Sequence, residues 1–239
     1  MPRKYVAEAI GTFALCFIGI LAISGAGIAG AEGITNLASI GFAHGLTIAV
    51  MVAALGAVSG AHFNPAVTFG FVVSGKMSPL EGVRYWVSQL AGATAAGGLL
   101  VALFDKGVVA GATPTLSPQV GTGAGIVIEA IATFFLVLVV FGTAVDERAP
   151  KSVFPLAIGL TVALDIMAVG PLTGAAMNPA RVFGPGLASD HWVGHWVYWV
   201  GPLAGGAVAA LVHKYVLSEP AVVATPVAET EPASLKQAA

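Results

Sequence analysis

Two stretches of the chain are near copies of each other. They are "GAHFNPAVTFG" at Gly60–Gly70 and "GAAMNPARVFG" at Gly174–Gly184, with seven of eleven letters shared and starts 114 positions apart. Each carries Asn-Pro-Ala ahead of a short apolar run. Asn is a preferred helix N-cap and Pro is favoured at the first helical position, so Asn64-Pro65 and Asn178-Pro179 each open a helix. The runs Phe63–Val73 and Asn178–Leu187 leave about ten residues for each, roughly 15 Å at 1.5 Å per residue. That is half of the ~30 Å hydrocarbon core of a bilayer. A helix this short, polar at its ends, enters a bilayer only where it is buried in protein or lines a water-filled cavity. The fold must therefore wrap two half-length helices inside something larger.

The rest of the chain supplies that wrapping. Of its 239 residues 57% are hydrophobic and 9% are charged, against roughly 25% charged in a soluble domain. So few charges cannot cover a surface in water, and the chain reads as an all-α integral membrane protein. Six segments are long enough to span: Tyr5–Ile28, Ser39–Val58, Val83–Phe104, Gly123–Val145, Val153–Val169 and Trp196–Leu217. The first is too long for a signal-peptide core and carries Glu8, so it reads as a retained span. Gly92 with Ala96, and Gly205 with Ala209, are small-x-x-x-small pairs that let helix backbones approach closely. The single cysteine, Cys16, reads as a packing residue. The net charge of −2 says nothing about nucleic acid, and with no basic patch none is expected as a partner.

The halves repeat beyond the two copies. "YVAEAIGTF" (Tyr5–Phe13) parallels "IVIEAIATF" (Ile126–Phe134), "HGLTIAV" (His44–Val50) parallels "IGLTVAL" (Ile158–Leu164), and "QLAGA" (Gln89–Ala93) parallels "PLAGG" (Pro202–Gly206). Each repeat runs span, span, short helix, span. Three crossings is an odd number, so the second copy sits upside down relative to the first, an inverted repeat about an axis in the membrane plane. One channel-like domain over 1–218 is expected, with repeat one at 5–104 and repeat two at 123–217. The stretch 219–239, rich in Pro, Ala, Thr and Glu, reads as a disordered tail. With the N-terminus inside, Arg3, Lys4, Lys76, Arg84, Arg148, Lys151, Lys214 and Lys236 are inside, and only Lys106 and Arg181 outside. The excess places both termini and the tail in the cytoplasm.

Inverted symmetry brings the two half-helices together head to head near the midplane. Each N-terminus carries about half a positive charge. The capping oxygen of each Asn is taken by backbone N–H groups, which leaves its NH2 to point outward as a donor. Ionisable groups at membrane depth need a role. Glu8 and Glu129 occupy equivalent places. They fit a proton relay, or better a support that accepts hydrogen bonds from the non-helical backbone leading into each half-helix. His62 fits either the wall of the inner half of a pore or a hydrogen bond within the re-entrant loop. Arg181 follows the second Asn-Pro-Ala, where the first has Val67, and falls on the outer side of the midplane. Asp165 fits a neighbouring helix or subunit, or a vestibule near Arg181.

With its twin Asn-Pro-Ala boxes, its "NPAR" and its paired Glu residues, the chain resembles the aquaporins of the major intrinsic protein family from about Tyr5 to Leu217. The resemblance implies a right-handed bundle of six helices and two half-helices around one pore per subunit, with four subunits to an assembly. It implies a pore midplane of Asn64, Pro65, Ala66, Asn178, Pro179 and Ala180. It also implies a selectivity filter of His44, Ile166, Ala175 and Arg181. "GFAHGL" (Gly41–Leu46) and "HWVYWVGPLAGG" (His195–Gly206) are similar to plant tonoplast-type members, and Ile166 also resembles archaeal members. Apolar Ile166 and small Ala175 depart from a strict water channel's filter. The resemblance thus implies passive permeation by water with small neutral solutes such as ammonia, hydrogen peroxide, urea or glycerol, and no cofactor or metal. The expected setting is a cell membrane, or a vacuolar membrane in a eukaryotic cell. The rival classes are an ion-coupled transporter, which also uses inverted repeats, and a non-conducting scaffold. An enzyme has no visible catalytic arrangement to support it.

Overall fold

Small residues decide how the helices meet. Gly45 and Gly159 occupy equivalent places in the two repeats, and a Cβ on either would strike the backbone oxygen of the other. The second span of each half crosses its counterpart there, in direct backbone contact. A Cβ at Gly92 would meet the Ala9 carbonyl, and one at Gly205 would meet the Ala130 carbonyl. The close-packing role read from the small-residue pairs therefore holds at both glycines.

The computed structural model describes residues 2–28 and 33–218. The tail expected at 219–239 lies outside the described residues. The helices are α1 Pro2–Ile28, α2 Gly33–Ser59, α3 Pro65–Val73, α4 Pro79–Leu103, α5 Lys106–Gly111, α6 Thr122–Val139, α7 Phe154–Thr173, α8 Pro179–Ser189 and α9 Val197–Val212. Six of these are long and apolar enough to cross a membrane. The half-helices α3 and α8 have 9 and 11 residues. Among the described residues there is no strand. In the bundle α1 packs on α2 and α4, α6 packs on α7 and α9, α2 crosses α7, and α3 and α8 are held inside against α9 and α4 respectively.

The structure adds three details to the sequence reading. The fifth span runs to Thr173 rather than Val169, because Pro171 sits in the last turn of α7 and the helix closes on Gly174 at φ 81. The short helix α5 was not anticipated. It is capped by Asp105, whose side chain accepts from Val108 N. The fourth and sixth spans end in π-helical turns, Val140–Val145 and His213–Leu217.

Candidate functional site

Between α2 and α3, and again between α7 and α8, the backbone runs non-helically at membrane depth. The two loops have the same shape. Gly60, Ala61 and Phe63 have φ of 86, 53 and 50, and Gly174, Ala175 and Met177 have φ of 81, 44 and 51. Four of the six are not glycine, and left-handed backbone at such residues costs of order 1–3 kcal/mol each.

A carboxylate holds each loop in place. Glu8 accepts from Ser59 Oγ at 2.7 Å, His62 N at 3.0 Å, Phe63 N at 2.7 Å and Gln89 Nε2 at 2.8 Å. Glu129 accepts from Thr173 Oγ1 at 2.6 Å, Ala176 N at 3.0 Å and Met177 N at 2.7 Å. Both side chains are fully buried. Hydrogen bonds to a charged acceptor contribute about 1.5–3 kcal/mol each, enough to offset the backbone strain. Among the described residues, every oxygen of the pair is occupied by a donor from a re-entrant loop or an adjoining helix.

Tyrosines close the cage. Tyr85 donates to the Ser59 carbonyl at 2.6 Å and Tyr198 to the Thr173 carbonyl at 2.7 Å. These carbonyls end α2 and α7 and have no helical partner. Neither tyrosine is singled out in the sequence reading; Tyr198 appears there only within the stretch His195–Gly206. The signal was available, because "YWV" occurs at Tyr85–Val87 and again at Tyr198–Val200.

The half-helices begin as their sequence dictates. Asn64 and Asn178 are extended, at φ −154 and −150, and their Oδ1 atoms accept from Ala66 N at 2.8 Å and Ala180 N at 3.0 Å. Pro65 and Pro179 fill the first helical position, where no N–H is needed. The outward-pointing amides need a correction. Asn64 Nδ2 donates to the Met177 carbonyl at 2.8 Å, and Asn178 Nδ2 donates to the Phe63 carbonyl at 2.9 Å. Each cap thus braces the other repeat's loop across the symmetry axis, because a carbonyl bent out of helix geometry needs a donor. An amide NH2 has two hydrogens, so one on each Asn remains for the cavity that both residues line.

That cavity is narrow, about 60 Å³, room for a short row of waters. Val140, Ala144, Phe154 and Ile158 wall one end, His62, Asn64 and Asn178 the middle, and His44, Ile166, Ala175 and Arg181 the other. Beyond Ile166 and Arg181 the space widens to a vestibule of about 380 Å³ walled by Ala110–Thr115, Gly170, Gly174 and His191. Asp165 is not part of that wall, which removes the vestibule reading of it; it is half-buried with its Oδ2 unpartnered among the described residues.

His44, Ile166, Ala175 and Arg181 line the narrow cavity together, and Ile166 and Arg181 also line the wide one. Arg181 is 7% exposed. Its Nη2 lies 3.1 Å from His44 Nε2 and its Nη1 donates to the Gly174 carbonyl at 3.4 Å. His44 Nδ1 lies 2.8 Å from the Ile40 carbonyl, which can only accept, so Nδ1 carries the hydrogen and Nε2 accepts from the guanidinium. Gly19 on α1 makes room, since a Cβ there would strike the His44 ring. This His–Arg pairing across 137 positions has no local sequence signal. His62 Nδ1 lies 3.0 Å from Thr68 Oγ1 on α3, outside the re-entrant loop itself, and His62 is among the residues that line the cavity. Among the described residues no group of three His, Cys, Asp or Glu could hold a metal.

The profile of a family described as Major intrinsic protein matches residues 1–213. The chain is 45% identical over 223 residues to Aquaporin TIP2-1 of Arabidopsis thaliana, covering 88% of this chain and 86% of that protein. It is 43% identical over 217 residues to Aquaporin TIP4-4 of Zea mays, covering 88% and 85%. Among solved structures it resembles the aquaglyceroporin from Plasmodium falciparum, with a TM-score of 0.77 at 25% identity over 90% of this chain and 96% of that one.

Proposed function

The chain belongs to the major intrinsic protein family, and from that premise we propose how its pore selects. It is a multi-pass membrane channel for water and small solutes. The observation that carries the mechanism is the meeting of two Asn-capped half-helices inside a narrow cavity, each braced to the other's loop.

Water passes in single file. At the midplane its oxygen accepts from the free amide hydrogens of Asn64 and Asn178, at the point where two positive helix ends face each other. A water held by two donors cannot readily accept a proton from its neighbour, so the proton wire is broken there. Cations are repelled by the same helix ends and by Arg181, and the apolar remainder of the wall cannot replace a hydration shell. Asn64, Pro65, Ala66, Asn178, Pro179 and Ala180 form the midplane in this reading.

His44, Ile166, Ala175 and Arg181 form the filter. The His44–Arg181 contact supports it, because the ring and the Gly174 carbonyl hold the guanidinium in place against the cavity that it lines. Ile166 and Ala175 bring neither a donor nor much bulk, which favours ammonia, hydrogen peroxide, urea or glycerol alongside water. In this reading the channel is a homotetramer in a cell membrane with both termini cytoplasmic; the Lys and Arg asymmetry supports the orientation of the termini. Swelling of proteoliposomes in parallel gradients of ammonia, urea and glycerol tests the filter. Flux of at least one above protein-free vesicles is expected, and a channel permeable to water alone contradicts the assignment.

A further inference from the structure

The two repeats differ beside their cages. Where the first has Thr68 and Gln89, the second has Val182 and Pro202. Thr68 and Gln89 are fully buried and do not line the cavity, yet a chain of hydrogen bonds runs through them to a residue that does.

The direction of that chain follows from its first member. Both oxygens of Glu8 take backbone N–H groups, from His62 and Phe63, which can only donate. The Gln89 amide lies 2.8 Å from Glu8 Oε2 and must turn its NH2 toward it. Gln89 Oε1 is left without a partner among the described residues. The reverse orientation would still be worse, since it sets an amide oxygen against a carboxylate oxygen. The second amide hydrogen goes to Thr68 Oγ1 at 3.0 Å. Thr68 accepts there, so its own hydroxyl hydrogen needs an acceptor in a buried place. His62 Nδ1, 3.0 Å away, provides one. Nδ1 therefore holds a lone pair, and the neutral imidazole carries its hydrogen on Nε2. The ring is fixed between Phe71 and Tyr85, with centroids at 4.3 and 5.2 Å.

We propose that Gln89 and Thr68 are positioning residues that fix His62 as the Nε2–H tautomer, so that the inner half of the pore presents a hydrogen-bond donor to the passing solute. His44 takes the opposite tautomer, with Nδ1 bonded to Ile40 and Nε2 to Arg181. The side chains that can donate along the path are then Arg181 outside, the Asn amides at the middle and His62 inside. Such a line serves neutral solutes that carry an exposed lone pair, water and ammonia among them. The second repeat needs no such relay, because Arg181 supplies its donor directly. The inference rests on the cavity being the conduction path.

The test is nitrogen-15 solid-state NMR of the full-length, histidine-labelled protein in bilayers, with Thr68→Val and Thr68→Ser compared and water flux measured on the same samples. The expected wild-type spectrum has His62 protonated at Nε2 and His44 at Nδ1. Thr68→Val loses the His62 preference, leaves His44 as it was and lowers water flux, while Thr68→Ser retains the wild-type pattern. If Thr68→Val does not fold, the wild-type spectrum still decides. A wild-type His62 protonated at Nδ1 overturns the proposal with the channel reading intact. The Nε2–H signature in a protein that conducts no water overturns it through the channel reading instead.

Discussion

The loop before α3 and the loop before α8 share one cage and differ in what the cage presents. Both use a buried Glu, a hydroxyl at the helix end, a tyrosine on that end's carbonyl and two non-glycine residues at positive φ. They part at the residue after the box. Val67 gives one part of the cavity wall no polar group, and Arg181 gives another part a buried cation. The likeness belongs to folding, because any backbone bent at membrane depth must have its N–H groups satisfied. In the proposed reading the difference belongs to selection, because a buried cation at one end of the path repels other cations.

Removing the shared part has the largest effect. Glu8→Leu strips four donors of their acceptor and Glu129→Leu strips three, at about 1–3 kcal/mol for each buried group left unpaired. Both variants are expected to lose most of their folded yield in mild detergent, with Glu8→Leu the worse because it also releases Gln89. Equal, near-native yields contradict the cage.

Making the halves alike comes next. Arg181→Val copies Val67 into the outer half. At an effective dielectric of 20 a charge 4 Å away is worth about 4 kcal/mol. Cation conductance in planar bilayers is therefore expected to rise on the order of tenfold or more, with water flux retained. Unchanged ion exclusion assigns selection to the midplane alone.

Adding a polar group to the outer half is smaller still. Ile166→His puts a hydrogen-bonding ring in the filter in place of an apolar wall and favours water. The ratio of urea or glycerol flux to water flux is expected to fall roughly tenfold, in line with the 1–3 kcal/mol that small changes in a pocket supply. A ratio that does not fall removes Ile166 from the filter.

The smallest effect lies away from the path, at the turn after the Val140–Val145 segment. Arg148 donates to Asp146 through Nε and Nη2, and this holds the Asp146 carboxyl well below its ordinary value. A depressed carboxylate stabilises the fold above its unfolded pKa, and that contribution is lost as pH falls through the folded value. Asp146→Asn is expected to lower the thermal midpoint slightly at pH 7, with the gap from wild type closing only below the ordinary carboxylate range. A gap that closes already near pH 6 contradicts this origin.

How much of this was legible in the sequence depended on whether the signal was local. The half-helices were, because Asn-Pro is a cap followed by a first-turn residue, and Pro65 and Pro179 sit where that grammar puts them. The Glu pair was legible through the repeat. The cross-bracing of Asn64 to Met177 and of Asn178 to Phe63 was not, because it joins residues 113 and 115 positions apart and depends on where a carbonyl points. The same holds for His44 and Arg181. Ala61, Phe63, Ala175 and Met177 gave no sign of left-handed backbone, since none is a glycine and the strain is offset by distant carboxylates. Tyr85 was readable and was missed, because the "YWV" repeat resembles an ordinary interfacial aromatic pair.

The measurement that bears most directly on the central claim is stopped-flow swelling of proteoliposomes under an osmotic gradient, with and without an ion gradient. Two half-helices enclosing a continuous narrow path predict water flux well above that of protein-free vesicles. That flux should not saturate with the driving gradient and should be indifferent to ions. Solute uptake that saturates and requires an ion gradient, with no rise in water flux, would contradict it and return the inverted repeat to a transporter.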